Sequence, residues 1–227
     1  MSLATSLTPS PTDFDTRERL LAAAERLFAE RGYASVTVRA IAAAADVNWS
    51  LVGYYFRGKE GLLAEVYRRH CNTLNAERLK LLAKATRGTP RLEAVIEAFV
   101  RPALAEIQGA GGRNGFSRLR AILAAEDSAL LDLLVAENFD LSSRTFIAAL
   151  QTCLPRVPHD EILWRFHFML GTIYYSVASP QRIKTFSGGR CDPADVEATL
   201  LHLVPFLADG FRGGVRRRGS RKSRPAV

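Results

Sequence analysis

Cysteine is scarce in this chain and follows no pairing pattern. Cys71, Cys153 and Cys191 lie far apart with no Cys-x-x-Cys spacing, which argues against a disulfide-stapled scaffold and for a reducing compartment. Histidine is nearly as sparse. His70 and Cys71 are neighbours, about 100° apart on a helix and poorly placed to share one ion. His159, His167 and His202 have no ligand-type partner four residues away, and neither His-Glu-x-x-His nor Gly-x-Ser-x-Gly occurs. The expectation is no metal, no cofactor and no catalytic group.

Long apolar runs are missing as well. The richest stretch, Phe166–Ala178, contains His167 and falls well short of the ~20 residues of a membrane span. Met1–Asp15 is polar and rich in Pro, Thr and Ser, without the basic start and apolar core of a secretory signal. Residues 1–14 read as a disordered leader, and a cytoplasmic protein without membrane contact is expected. Alternation of period two is absent too, so no strand is predicted and the class is all-α.

What is present is enough for a folded chain. Of 227 residues, 48% are hydrophobic and 24% charged, which allows a sizeable core. The net charge of +8 misleads about the body of the molecule. Arg212, Arg216, Arg217, Arg218, Arg221, Lys222 and Arg224 crowd the end with no acid among them, and without these seven the basic and acidic residues nearly balance. Residues 212–227 read as a basic disordered tail, a source of salt-sensitive attraction to nucleic acid rather than of sequence choice.

Helical spacing organises the rest. Asp15, with Glu18 three residues on, signals the start of a first helix carrying Leu20, Ala24, Leu27 and Phe28 inward, and Gly32 stops it. Thr37 caps a short second helix to about Ala44, and Asp46 and Val47 form a tight connection. A third helix is predicted over Asn48–Tyr55, and a long fourth from Lys59 to about Ala85. Further helices are predicted near Arg91–Gln108, Phe116–Ala125, Leu130–Leu154, Asp160–Ala178 and Asp195–Phe211, with glycine-rich loops at Gly109–Gly115 and Ser187–Pro193. Pro102 is expected to kink its helix.

The second and third helices have helix-turn-helix spacing. Ile41, Val47 and Val52 are apolar where the helices lock together, and Ala42 and Ala43 are small where they cross. The outward face carries Asn48, Trp49, Ser50, Gly53 and Tyr54, side chains able to enter a major groove and touch base edges.

With these anchors in register the sequence resembles the TetR family of transcriptional regulators. The resemblance rests on Thr16–Gly32, on Thr37-Val38-Arg39 with Ile41-Ala42, and on Val47 through Tyr54-Tyr55-Phe56 to Lys59-Glu60 and Leu62. It implies a three-helix DNA-binding domain at residues 15–58 and a helical ligand-binding and dimerisation domain at residues 59–211. It further implies that Thr37 and Arg39 sit at the groove edge, that Asn48, Trp49 and Ser50 face bases, and that Tyr54, Tyr55 and Lys59 touch phosphate. Two residues depart from the family pattern: Asp46 replaces a usual glycine, and Gly53 a common phosphate-binding tyrosine.

The helix over Asp160–Ala178 is apolar nearly all round, so two of its faces ask for burial. One points to its own core and one to a second subunit. Together with the last helix this makes Phe166, Leu170, Ile173, Tyr174, Leu200, Leu203, Val204 and Leu207 the expected dimer interface. Phe99, Phe139, Phe146, Trp164, His167, Phe168 and Tyr175 are the expected walls of an effector pocket, with Arg165 as a polar handle. A homodimer presents two reading helices, hence an inverted-repeat double-stranded DNA operator. The resemblance implies repression relieved by a small, apolar or aromatic molecule. An enzyme built on the helical pocket and a pure protein-interaction module are the alternatives.

Overall fold

The computed structural model describes residues 11–105 and 129–213. The expected leader up to residue 10, the helix at Phe116–Ala125, the loop at Gly109–Gly115 and the tail beyond Gly213 lie outside the described residues. Among those described there are helices and no strand.

The first helix, α1 (Pro11–Arg31), starts four residues before the expected Asp15 cap. Pro11 suits a first helical position, where its missing N–H costs nothing. Asp15 instead lies inside the helix and pairs with Arg19 one turn on, at 3.3 Å. Leu20, Ala24, Leu27 and Phe28 form its buried stripe, and Gly32 ends it at φ +78°. In α2 (Val38–Ala44) the Thr37 hydroxyl accepts from the Ala40 amide at 3.1 Å. The next helix is α3 (Ser50–Phe56), two residues later than predicted at its start. The long α4 (Lys59–Ala85) has the bounds expected of it.

The remaining helices are α5 (Leu92–Ala105), α6 (Ala129–Cys153), α7 (His159–Ala178), α8 (Pro180–Phe186) and α9 (Val196–Arg212). α4 is the shared element, packing against α1 and α3 along one part and against α5 and α6 along the other. α5 is the centre of the second group and touches α4, α6, α7 and α9. It earns that place by composition, since Val95, Ile96, Phe99, Val100, Ala103 and Leu104 are all buried. Pro102 is buried within α5, and α9 runs on through an exposed Pro205. α8 follows a break at Ser179, buries none of its residues, and was not anticipated.

Candidate nucleic-acid interface

The helix-turn-helix is held by a small apolar core in which Ile41, Ala42, Ala45, Val52 and Phe56 are buried. Asp46 makes the turn at φ +53°, a left-handed conformation that Asp tolerates better than most residues, and the Val47 amide closes it on the Ala42 carbonyl at 3.0 Å. Asn48 precedes α3 rather than opening it. Its Oδ1 accepts the Ser50 amide at 2.9 Å and the Ser50 hydroxyl at 2.8 Å, so the side-chain amide remains the outward donor. Asn48 and Ser50 therefore shape the start of α3 as well as being exposed.

Burial then divides α3 sharply. Val52 and Phe56 are inside and Leu51 and Tyr55 half-buried, while Ser50, Gly53 and Tyr54 face solvent. Trp49 is 57% exposed and Tyr54 76% exposed, which is costly for large rings unless something covers them. Tyr55 stacks edge-on against Tyr54 at 4.9 Å. A Cβ on Gly53 would meet nothing within 4 Å, so the glycine leaves a shallow gap on the outer face. Thr37 and Arg39 are exposed beside this face, and the Arg39 guanidinium lies 5.9 Å from the Trp49 ring. Lys59 sits further round, with its ammonium 4.2 Å from the Tyr33 ring and 3.5 Å from the Ala34 carbonyl.

Ion pairs brace the head against α4. Arg17 pairs with Glu65 and Arg69 with Glu18, both at 2.5 Å, and His70 meets Glu25 at 2.8 Å. Partial burial pushes the Glu65 carboxyl up, but hydrogen bonds from Arg68 and Arg17 outweigh it and hold the group below the usual carboxylate range. Arg19 adds a hydrogen bond to the Ala45 carbonyl at 3.2 Å.

Two residues of this region escaped sequence reasoning. Arg57 is exposed at the end of α3 with φ +60°, a cation between Tyr54 and Lys59; its place in an Arg-Gly pair just before Lys59 was the available signal. Gly61 is needed where α4 begins, because a Cβ there would lie 1.8 Å from the Phe56 carbonyl oxygen. No local pattern marks it.

The second domain corrects several expectations. Phe99, Phe139 and Phe146 are buried, and Phe99 stacks edge-on with Phe146 at 4.9 Å and with Phe166 at 5.1 Å. Buried Arg78 lies 3.7 Å from the Phe99 ring and donates to the Phe99 carbonyl at 2.9 Å. Trp164, His167, Phe168 and Tyr175, expected with these rings, instead face outward. Positions 164, 168 and 175 share a helix face opposite the one carrying Ile162, Phe166, Met169 and Ile173. Arg165 is no pocket handle either: it donates to the Phe211 and Gly213 carbonyls at the end of α9.

The expected dimer residues divide the same way. Phe166, Ile173, Leu200, Val204 and Leu207 are buried within the protomer, so they are core. Leu170, Tyr174 and Leu203 are half-buried. On these two helices the large apolar side chains left exposed are Leu163, Trp164, Phe168 and Tyr175 of α7 and Leu201 and Phe206 of α9. A groove of about 950 Å³ is lined by Glu25, Arg69, His70, Glu77 and Lys80 among others, a charged rim that no sequence pattern foretold. No cluster of metal-ligating side chains occurs among the described residues, and no helix there is long and apolar enough to cross a membrane.

Known proteins resemble both halves of the chain. Residues 20–66 match the N-terminal region of bacterial regulatory proteins of the TetR family, and residues 97–210 match a tetracyclin repressor-like C-terminal domain. A probable HTH-type transcriptional regulator, YttP of Bacillus subtilis, is 33% identical over 75 residues, 31% of this chain and 36% of that protein. The HTH-type transcriptional repressor KstR2 of Rhodococcus jostii is 34% identical over 96 residues, 40% of this chain and 47% of that one. The chain thus aligns with less than half the length of these curated relatives. The solved structure of the transcriptional regulator FadR from Bacillus subtilis in complex with stearoyl-CoA shares the fold, with a TM-score of 0.67 at 14% identity over 85% of this chain and 98% of that one. With both its reading head and its helical second domain matched, the chain belongs to the TetR family of bacterial regulatory proteins.

Proposed function

We propose that this protein is a cytoplasmic, ligand-responsive transcriptional repressor that binds an inverted-repeat operator as a homodimer. The observation that carries the reading is the outer face of α3. Trp49, Ser50, Gly53 and Tyr54 are exposed there on a helix whose other side is locked into the core, with Arg39, Arg57 and Lys59 nearby. Hydrogen-bonding, aromatic and small side chains on a rigid helix suit base edges, and the surrounding cations suit phosphates. In this reading Thr37, Arg39, Asn48, Trp49, Ser50, Gly53, Tyr54, Tyr55 and Lys59 contact duplex DNA.

The same reading assigns residues 15–58 to DNA and residues 59–211 to effector binding and dimerisation, with the basic end from residue 212 adding non-specific attraction. Pairing of two copies through Leu163, Trp164, Phe168, Tyr175, Leu201 and Phe206 covers surface that a monomer leaves wet. A small apolar or aromatic effector lodging near Phe99, Phe139 and Phe146 shifts α4 and changes the spacing of the two heads. Of the stearoyl-CoA held by the Bacillus subtilis FadR structure, the acyl chain is apolar in that sense and the large anionic coenzyme A part is not. Family membership puts the chain with regulators and not with enzymes.

Selection of duplexes from a random pool tests the function. A two-fold symmetric consensus is expected; recovery of unrelated sequences at moderate salt contradicts it.

A further inference from the structure

Arg39 is held differently from the two arginines that brace the head against α4. Arg17 and Arg69 are engaged by carboxylates, which occupy guanidinium donors. Arg39 has no ion-pair partner among the described residues and instead lies over an indole, its guanidinium carbon 5.9 Å from the Trp49 centroid. A π face orients a guanidinium without consuming its N–H groups. The platform is itself fixed. Asn48 Oδ1 binds the amide and hydroxyl of Ser50, clamping the backbone on both sides of Trp49, and Trp49 takes helical angles, φ −60° and ψ −27°.

We propose that Arg39 of α2 and Trp49 at the start of α3 form one composite reader, in which Trp49 positions the Arg39 fork for the O6 and N7 acceptors of a guanine in each half-site. This rests on the DNA-reading function proposed above. A guanine presents two coplanar acceptors in the major groove, which a planar fork matches and a point charge does not. The stacking draws Arg39 toward the groove-facing helix, whereas Lys59 is drawn away to Tyr33. Trp49, 57% exposed, thus acts on Arg39 as a positioning residue in addition to any contact of its own with the duplex.

A double-mutant cycle on the full chain tests the pair, using the duplex selected by the wild type and single-base variants of it. Arg39→Ala and Trp49→Ala each weaken binding about 10- to 100-fold and flatten preference at the same guanine. The double variant is no weaker than either single one within about threefold. Trp49→Phe retains most of the preference, while Arg39→Lys keeps the salt dependence and loses the guanine. Both side chains are exposed, so unchanged thermal unfolding checks that the variants are folded. Multiplying effects, loss at different base pairs, or a uniform loss across all duplexes overturns the composite reader. In each of those cases a symmetric wild-type consensus leaves the DNA-reading function standing. A wild type that prefers no duplex sinks that function and the composite reader with it.

Discussion

Among the described residues, the exposed rings of α3 and those of α7 and α9 differ in what surrounds them. On α3, Trp49 and Tyr54 stand among Arg39, Arg57 and Lys59. On α7 and α9, Trp164, Phe168, Tyr175 and Phe206 stand with Leu163 and Leu201. Rings mixed with cations suit a polyanion that offers both stacking surface and phosphate. Rings mixed with leucine suit a copy of the same surface, because two apolar patches expel water together whereas an apolar patch and a phosphate do not. Exposure alone would not have separated the two faces; the neighbouring charge does.

The comparison can be broken at several points. The largest expected effect lies in the core of the second domain. Phe99→Ala removes the ring that packs on Phe146, Phe166 and Arg78 and is expected to destabilise the fold by about 3–5 kcal/mol. Chemical denaturation measures it, and the folded fraction should keep its duplex preference. Gly61→Ala drives a Cβ into the Phe56 carbonyl and should cost about 1–3 kcal/mol. Because Phe56 ends α3, its loss of DNA affinity should exceed that of Phe99→Ala at equal folded fraction.

The apolar face is sharpened by Phe168→Glu, which sets like charges opposite each other across a paired α7. Light scattering should find the dimer weakened at least tenfold, with a monomer that unfolds within about 0.5 kcal/mol of wild type since the site is exposed. A smaller change is expected from Asp46→Gly. It relieves the left-handed backbone at φ +53°, and a gain of up to about 1 kcal/mol should appear in thermal unfolding, without a change of consensus.

Legibility from sequence followed the contrast between faces. In the head, apolar and polar positions differ strongly, so Ile41, Val47 and Val52 were readable as facing inward, with Val47 only half-buried, and Trp49 and Tyr54 as surface, and Thr37 as a cap was readable from residue type. Asn48 was misjudged by two residues of helix because its side chain mimics a turn of backbone. In the second domain helix positions were readable but their orientation was not. α7 is apolar on both sides, so periodicity cannot say whether Phe166 or Phe168 points inward, and the two were assigned the wrong way round. Pro11, inside the expected leader, and Pro180, past the expected helix end at Ala178, each open a helix, so the beginning of α1 and all of α8 were missed.

The chain has two tryptophans, one on each face, and they offer the most direct measurement. With Trp164→Phe, emission reports Trp49 alone; with Trp49→Phe, it reports Trp164 alone. Titration with the selected duplex should change Trp49 emission strongly and leave Trp164 unchanged, while dilution toward monomer should do the reverse. A duplex bound with sequence preference that leaves Trp49 emission untouched would contradict the account.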